Sequence, residues 1–310
     1  MAQYQIGSGS RAAAGLQKAS GDPDFVLLNM RSESVSVSVS KTSEDTLMES
    51  KTTTGVDLDS ISVAGGISTY LRPEFVDWLF EAAMGEADSG VYTLSEADAE
   101  PRKSEVYIER GTDVKKYADM AISSLNITAN AQKIVEAQIE FIGKQEATGT
   151  FPTGLTSVSK SYKCTDAYLK YGAASSQTAL PVETLSFNIN NNLVEGPRTY
   201  MSGLYAEDPI KGLRDVTINW TMPRDKGASS KYDAMRAYLE SNDYVRLELQ
   251  FSNGTEDETV NVVFPNVAIT AGNSNVSGPQ VIDSSFSGRA VQVGTAEPIT
   301  VTVSHPTSTL

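Results

Sequence analysis

Nucleophilic chemistry has little to work with in this sequence. It contains one histidine, His305 in "VTVSHPTSTL", and one cysteine, Cys164 in "SYKCTDAYLKYG". A Ser-His-Asp or Cys-His relay cannot be assembled from so few parts, and neither can a zinc site of several Cys and His ligands. His305 reads as an exposed residue of the tail, and Cys164 as a strand residue that packs like a small hydrophobe. Paired carboxylates do acid–base work only when held rigidly in a cleft. Asp57 with Asp59, and Glu256 with Asp257 and Glu258, sit in polar runs expected to be solvated loops. The spacing after Asp57 does not follow an EF-hand. "GSGSRAAAG" (7–15) has glycines but no strand before it, so a phosphate loop is unsupported. Aromatic and basic residues do not interleave as a single-strand nucleic-acid platform needs. No catalytic, cofactor-binding or metal-ligating residue is predicted, and the chain reads as a binding or structural protein rather than an enzyme.

Composition agrees. The chain has 310 residues, enough for about two ordinary domains. At 40% hydrophobic and 21% charged it can build real cores. No apolar run is long enough to span a membrane. The N-terminus lacks the basic start and apolar block of a secretory signal, so synthesis and assembly in a cytoplasm are expected. The sequons at Asn126, Asn219, Asn253 and Asn275 are then read as strand and turn residues. A net charge of −14 argues against a surface that grips phosphates. It suits a surface past which nucleic acid must move without sticking.

The elements that position these residues are mostly strands. "ESVSVSVSK" (33–41) alternates valine and serine, with Val35, Val37 and Val39 on one face and Ser34, Ser36, Ser38 and Ser40 on the other. Period-two alternation also marks 60–71, 123–131 and 135–143, then 184–192, 215–222, 244–252, 260–270 and 298–305. Asn253-Gly254 is a hairpin turn signal. Two helices are predicted. In 72–85, Pro73 and Glu74 suit the start and Gly85 the stop, with Phe75, Leu79 and Ala82 on one face. The second, 229–242, begins with capping serines.

The two halves match in order. Val35, Val37 and Val39 correspond to Leu185, Phe187 and Ile189. Ile61 and Val63 correspond to Val216 and Ile218, and the helix at Trp78-Leu79 to the one at Tyr238-Leu239. Val106 and Ile108 correspond to Val245 and Leu247. Leu125, Ile127 and Ala129 correspond to Val267, Ile269 and Ala271, and "EFIG" (140–143) to "SFSG" (285–288). An internal duplication is expected, with units at 1–152 and 153–310 and a Gly/Ser/Thr-rich boundary at 143–161. The fold class is mainly β with some α: two tandem β-sandwich or barrel units, each flanked by one helix.

Each half also carries a long loop between strands that should be neighbours, 42–59 and 192–214. Loops this long in compact domains are functional or disordered. The second holds Leu193, Val194, Tyr200, Met201, Leu204, Tyr205 and Ile210, more apolar surface than a disordered loop needs.

The run from "ESVSVSVSKTSEDTLMES" through "RPEFVDWLFEAAMG" and "SSLNITANAQKIVEAQIEFIGKQE" to "LSFNINNNLVEG" resembles the tail tube proteins of long-tailed bacteriophages. "VSGPQVIDSSFSG" and the opening "GSGSR" are similar to that family as well, so the resemblance covers about residues 7–304. It implies subunits that join side by side into rings, rings that stack into a hollow virion tail tube, and DNA passing through the lumen without tight binding. It implies a sheet lining the channel, with Ser34, Ser36, Ser38, Ser186, Asn188 and Asn190 as candidate channel-facing residues. It implies loops that reach the next ring, with Leu47, Met48, Glu49, Val194, Tyr200, Met201, Leu204 and Tyr205 as candidates. Single-unit members form hexamers, so two units per chain favour a pseudo-sixfold trimer over a hexamer. The implied partners are further copies of the chain, a tape-measure protein, a tail terminator and tail-tip proteins. The alternatives are the inner tube of a contractile injection system and a two-domain β-sandwich adhesin or carbohydrate-binding protein.

Overall fold

The computed structural model describes residues 10–18, 23–44, 55–85, 88–94, 102–155, 160–193, 209, 211–227, 229–254, 258–274 and 282–305. The first half contains β1 (Arg11–Leu16), β2 (Val26–Leu28), β3 (Met30–Glu33), β4 (Ser36–Glu44), β5 (Gly55–Tyr70), α1 (Pro73–Met84), β6 (Val91–Thr93), β7 (Lys103–Arg110), β8 (Asp113–Asn130), β9 (Glu136–Gly143) and β10 (Gln145–Thr148). The second contains β11 (Lys163–Tyr171), β12 (Thr178–Leu180), β13 (Thr184–Asn190), β14 (Asp215–Pro223), α2 (Lys231–Glu240), β15 (Val245–Ser252), β16 (Thr259–Ser274), β17 (Asp283–Ala290) and β18 (Thr300–Ser304). The mainly β fold class holds, and both predicted helices lie where their caps put them.

Antiparallel ladders join β4, β5, β9 and β8 side by side in that order. They join β13, β14, β17 and β16 in the same order. β8 then pairs with β13 from Thr184↔Asn130 to Asn190↔Ser124, which makes one run of eight strands. The first part of β8 turns away to pair with β7 and β10, and the first part of β16 pairs with β15 and β18. A register irregularity marks each switch, between Ile122 and Ser124 and between Ile269 and Ala271. Such bulges bend a strand and let it serve two sheets. A second layer follows, with β1 between β7 and β2, and β11 between β15 and β12.

One core fills the space between the layers. It includes Phe75, Leu79 and Phe80 of α1, Phe141 of β9, Phe187 of β13, Trp220 of β14 and Phe264 of β16. Phe187 meets Phe264 edge-on at 5.8 Å, and Trp220 stacks on Phe286 at 5.6 Å. The halves are also joined at a second place, where β6 pairs with β18. Here Tyr92 donates to Asp77 of α1 at 2.7 Å, and His305 Nε2 pairs with the other oxygen of Asp77. His305 is therefore tied to a helix rather than loose in a tail.

Several expectations shift. The first long loop shrinks, because β4 runs to Glu44 and β5 begins at Gly55; Asp57 and Asp59 are strand residues. Part of the expected boundary segment is β10, whose "QEAT" gave no alternation because neither face is apolar. β1, "RAAAGL", was missed for the opposite reason: Ala12, Ala13 and Ala14 are all fully buried. Asn253-Gly254 opens a β15–β16 hairpin whose connection spans 253–258, longer than a two-residue turn. Ile142 faces Ala121 and Ser287 faces Ala271, so Ala271 stands level with Ala121 rather than with Ala129. Period-two patterns match equally well at several offsets, and the bulges reset the frame.

Candidate functional site

The approach to β4 is locked by one arginine. β3 and β4 both pair with β5, and the chain breaks step between them at Ser34-Val35. Gly65 lies beneath the break at φ 139°, a conformation costly for any residue with a Cβ, and a Cβ there would strike the Ser34 backbone. Ser34 accepts from the Gly66 N–H at 2.9 Å through its hydroxyl. Ser34 thus lies outside the β4 ladder, in the kink rather than in the serine row. Arg110 donates Nε and Nη2 to the two oxygens of Glu33 at 2.7 and 2.8 Å. It also donates to the Val35 carbonyl at 2.8 Å and to the Tyr117 hydroxyl at 3.1 Å. The Arg110 hydrogen bonds hold the Glu33 carboxyl below its usual range, against the opposing effect of burial.

Beyond the kink, strand alternation sorts the two faces. Ser36, Ser38 and Ser40 pair with Ala64, Ser62 and Ser60 of β5. On the same face of the eight-strand run, Ser186 lies between Thr128 and Asn219, Asn188 between Asn126 and Thr217, and Asn190 between Ser124 and Asp215. Ser285, Ser287 and Arg289 of β17 continue these rows, as do Glu136, Gln138 and Glu140 of β9. Ser36, Ser38, Ser186, Asn188 and Asn190 therefore share one face. It forms a depression over β8, β13, β14 and β17, lined by Asn126, Thr128, Thr184, Ser186, Asn219, Thr221, Ser285 and Ser287. Neighbouring side chains tie to one another: Asn126 donates to Gln138 at 3.2 Å, and Thr221 and Ser285 hydroxyls lie 3.1 Å apart. Its charges are largely neutralised within the chain, Arg289 with Asp215 at 2.6 Å and Arg31 with Glu136 at 2.6 Å.

The opposite face of β4 changes along its length. Val35 is 2% exposed, Val37 half-buried and Val39 47% exposed. Val56 and Leu58 of β5 lie on this face, 61% and 39% exposed. The β4–β5 hairpin is therefore an arm whose core-facing side leaves the core. Val35, Val37 and Val39 were expected to form one buried face, and only the first part of it is covered. Sequence alternation cannot show where a strand leaves the body.

The eight-strand run ends in two open edges. β4 pairs with one strand, β5, and β16 from Ala268 to Ser274 pairs with β17 alone among the described residues. The candidate loop residues Leu47, Met48, Glu49, Val194, Tyr200, Met201, Leu204 and Tyr205 lie outside the described residues. The clefts hold no grouping of three or more metal-ligating side chains among the described residues. The Cys164 thiol lines an apolar cleft with Leu169, Leu180 and Phe251, and burial pushes it up from its usual range. No helix among the described residues is long and apolar enough to cross a membrane.

Comparison with curated proteins gives no match. The family model described as phage tail tube protein matches residues 7–290, almost the whole of the chain. It covers the kink, both edges and every row of the polar face, and the chain belongs to the phage tail tube protein family.

Proposed function

We propose that this chain consists of two tandem tail-tube-type units, 1–152 and 153–310, and that copies of it close into rings by edge pairing. The observation that carries the reading is the β8·β13 seam. Within the chain, the open edge of the first four-strand set takes the leading strand of the second. The run then ends with edges of the same two kinds: β4 stands as β13 would without β8, and on β16 Asn273 and Ser274 stand level with Ser124 and Leu125, where that seam begins. Exposed strand edges bind other chains, and a closed ring removes them. Such contacts are heterologous and close into a ring; separate head-to-tail contacts between rings do not close, and extend the stack as a filament.

Spacing favours three copies. With strands about 4.8 Å apart, eight inner strands per chain give a barrel about 24 Å across for two copies and about 37 Å for three, before tilt widens either. Tilt of about 40° widens these to about 32 and 48 Å, and inner side chains then leave the smaller barrel little clearance around a DNA duplex. Three copies give six units and a pseudo-sixfold ring.

The polar face with Ser36, Ser38, Ser186, Asn188 and Asn190 lines the channel in this reading. Most of its side chains are short, uncharged hydroxyls and amides, and its Arg289 is already paired with Asp215, so passing DNA meets no free cation cluster to replace its counterions and slides during ejection. The tape-measure protein occupies the lumen before DNA does, and terminator and tip proteins cap the ends. The candidate loop residues Leu47, Met48, Glu49, Val194, Tyr200, Met201, Leu204 and Tyr205 reach the next ring. Imaging of the purified protein by negative stain tests the assembly: rings or hollow tubes are expected, and particles that stay monomeric at every concentration refute it. Deletion of 195–212 tests the loops separately. Rings without tubes are expected, and tubes of normal length would remove the loops from stacking.

A further inference from the structure

The β8·β13 seam is closed by side chains as well as by its ladder. Asn191, one residue past β13, is 1% exposed. Its amide donates to the Ala83 carbonyl at 3.0 Å and to the Ile122 carbonyl at 2.9 Å. Arg214 Nη1 donates to the Met84 carbonyl at 3.2 Å. Donors from the second half therefore close the C-terminal end of α1, which has no basic residue in its own last turn.

α2 stands in the corresponding place without that cover. It too has no basic residue in its last turn. Its Leu239 rests on β16 at Gly272, where an added Cβ would come within 3.1 Å of the Leu239 side chain. Gly272 faces Phe286 as Ile122 faces Phe141, so α2 ends over β16 where α1 ends over β8. α1 buries nine residues, including Ala83 and Met84 at its end; α2 buries only Tyr232 and Met235, and leaves Tyr238 and Leu239 half-covered. Within the chain the Ser241 hydroxyl reaches the Tyr238 carbonyl at 3.4 Å. Glu240, shared with Arg236 at 2.7 Å, and Asp243 make this end negative.

We propose that the arm of a second copy supplies the missing cover: Lys41 caps the C-terminus of α2, and Val39 packs on Tyr238 and Leu239. This rests on the ring reading above and names the residues that clamp it. Ser40 and Lys41 follow Val39 as Asn190 and Asn191 follow Ile189. Ile189 is fully buried at the internal seam, and Val39 in its matching position is 47% exposed. Lys41 is exposed, and an ammonium is favoured at the carbonyl end of a helix, more so beside carboxylates. The arm and α2 are thus complementary in charge and in apolar surface, and they sit at the two ends of one sheet.

Two sets of variants of the full chain test this. Lys41→Glu reverses the cap at an exposed position, so the monomer should melt as the wild type does. The concentration for half-assembly should rise about tenfold or more, and Lys41→Arg should restore it. Val39→Cys with Leu239→Cys, in a Cys164→Ser background, should give a ladder of covalent multimers on oxidation, absent from either single cysteine variant. Wild-type rings together with normal K41E assembly and no ladder would overturn the clamp and leave the rings standing. No rings from the wild type would overturn both.

Discussion

Arg110 and Asn191 are the residues on which the two edges of the first half depend. Arg110→Ala removes the fork to Glu33 and the bond to the Val35 carbonyl, and should cost about 1.5–3 kcal/mol, the range for hydrogen bonds to charged groups. The cost depends on pH. The Glu33 carboxyl is lowered in the folded chain from an ordinary 4.5, so its contribution is complete above that value and fades as pH falls through the lowered one. Denaturant melts of wild type and variant should therefore differ most at neutral pH, and the difference should shrink in acid to what the Val35 and Tyr117 bonds contribute; a difference constant with pH would contradict the pairing. Asn191→Leu keeps the branched shape but strands two carbonyls, and should cost about 1–3 kcal/mol or more. Asn191→Asp should cost more, because it brings a buried negative charge to the negative end of α1. Thermal melts of the three proteins give that order. Neither role was legible beforehand. A lone Arg after "VYIE" and an Asn within "NINNN" gain their meaning from residues more than sixty positions away.

At the level of elements, the seam between β8 and β13 makes the halves one cooperative body. Phe187→Ala hollows the core under that seam and should cost about 3–5 kcal/mol. Unfolding should remain a single transition, since β6·β18 ties the same halves at a second place; two separated transitions would mean that the units fold alone. Sequence pattern served well where one face of a strand is buried and the other is wet. β13, "TLSFNIN", and β15, "VRLELQFS", alternate cleanly because they are built that way. It failed where that contrast disappears. β1 is buried on both faces, β10 is polar on both, and the outer part of the β4–β5 arm is apolar on a side that leaves Val39, Val56 and Leu58 exposed. The serine row was read correctly as one face from Ser36 onward. Ser34 fell out because the Gly65 kink depends on φ, which alternation does not encode. The zinc site of several Cys and His ligands and the Ser-His or Cys-His relay were set aside on the count of one His and one Cys, which no fold can alter.

For the whole molecule, the proposed ring depends on two properties of one sheet: open edges and a face dominated by short hydroxyl and amide side chains. The face can be altered without touching the edges. Ser38→Lys, Ser186→Lys and Asn188→Lys replace side chains on the wet side, so each should change stability by no more than about 0.5 kcal/mol. Together they should make assembled particles bind DNA, with a dependence on salt that steepens by about 0.9 per phosphate neutralised. Binding unchanged from wild type in a filter or gel-shift assay would place these residues away from the lumen. The edges are tested most directly by end-on electron-microscopy averages of assembled particles, with the mass of single rings determined alongside. Three chains per ring, six similar lobes and one continuous inner wall are the expected result. Six chains per ring, or separate lobes with no shared wall, would contradict closure by β16 and β4.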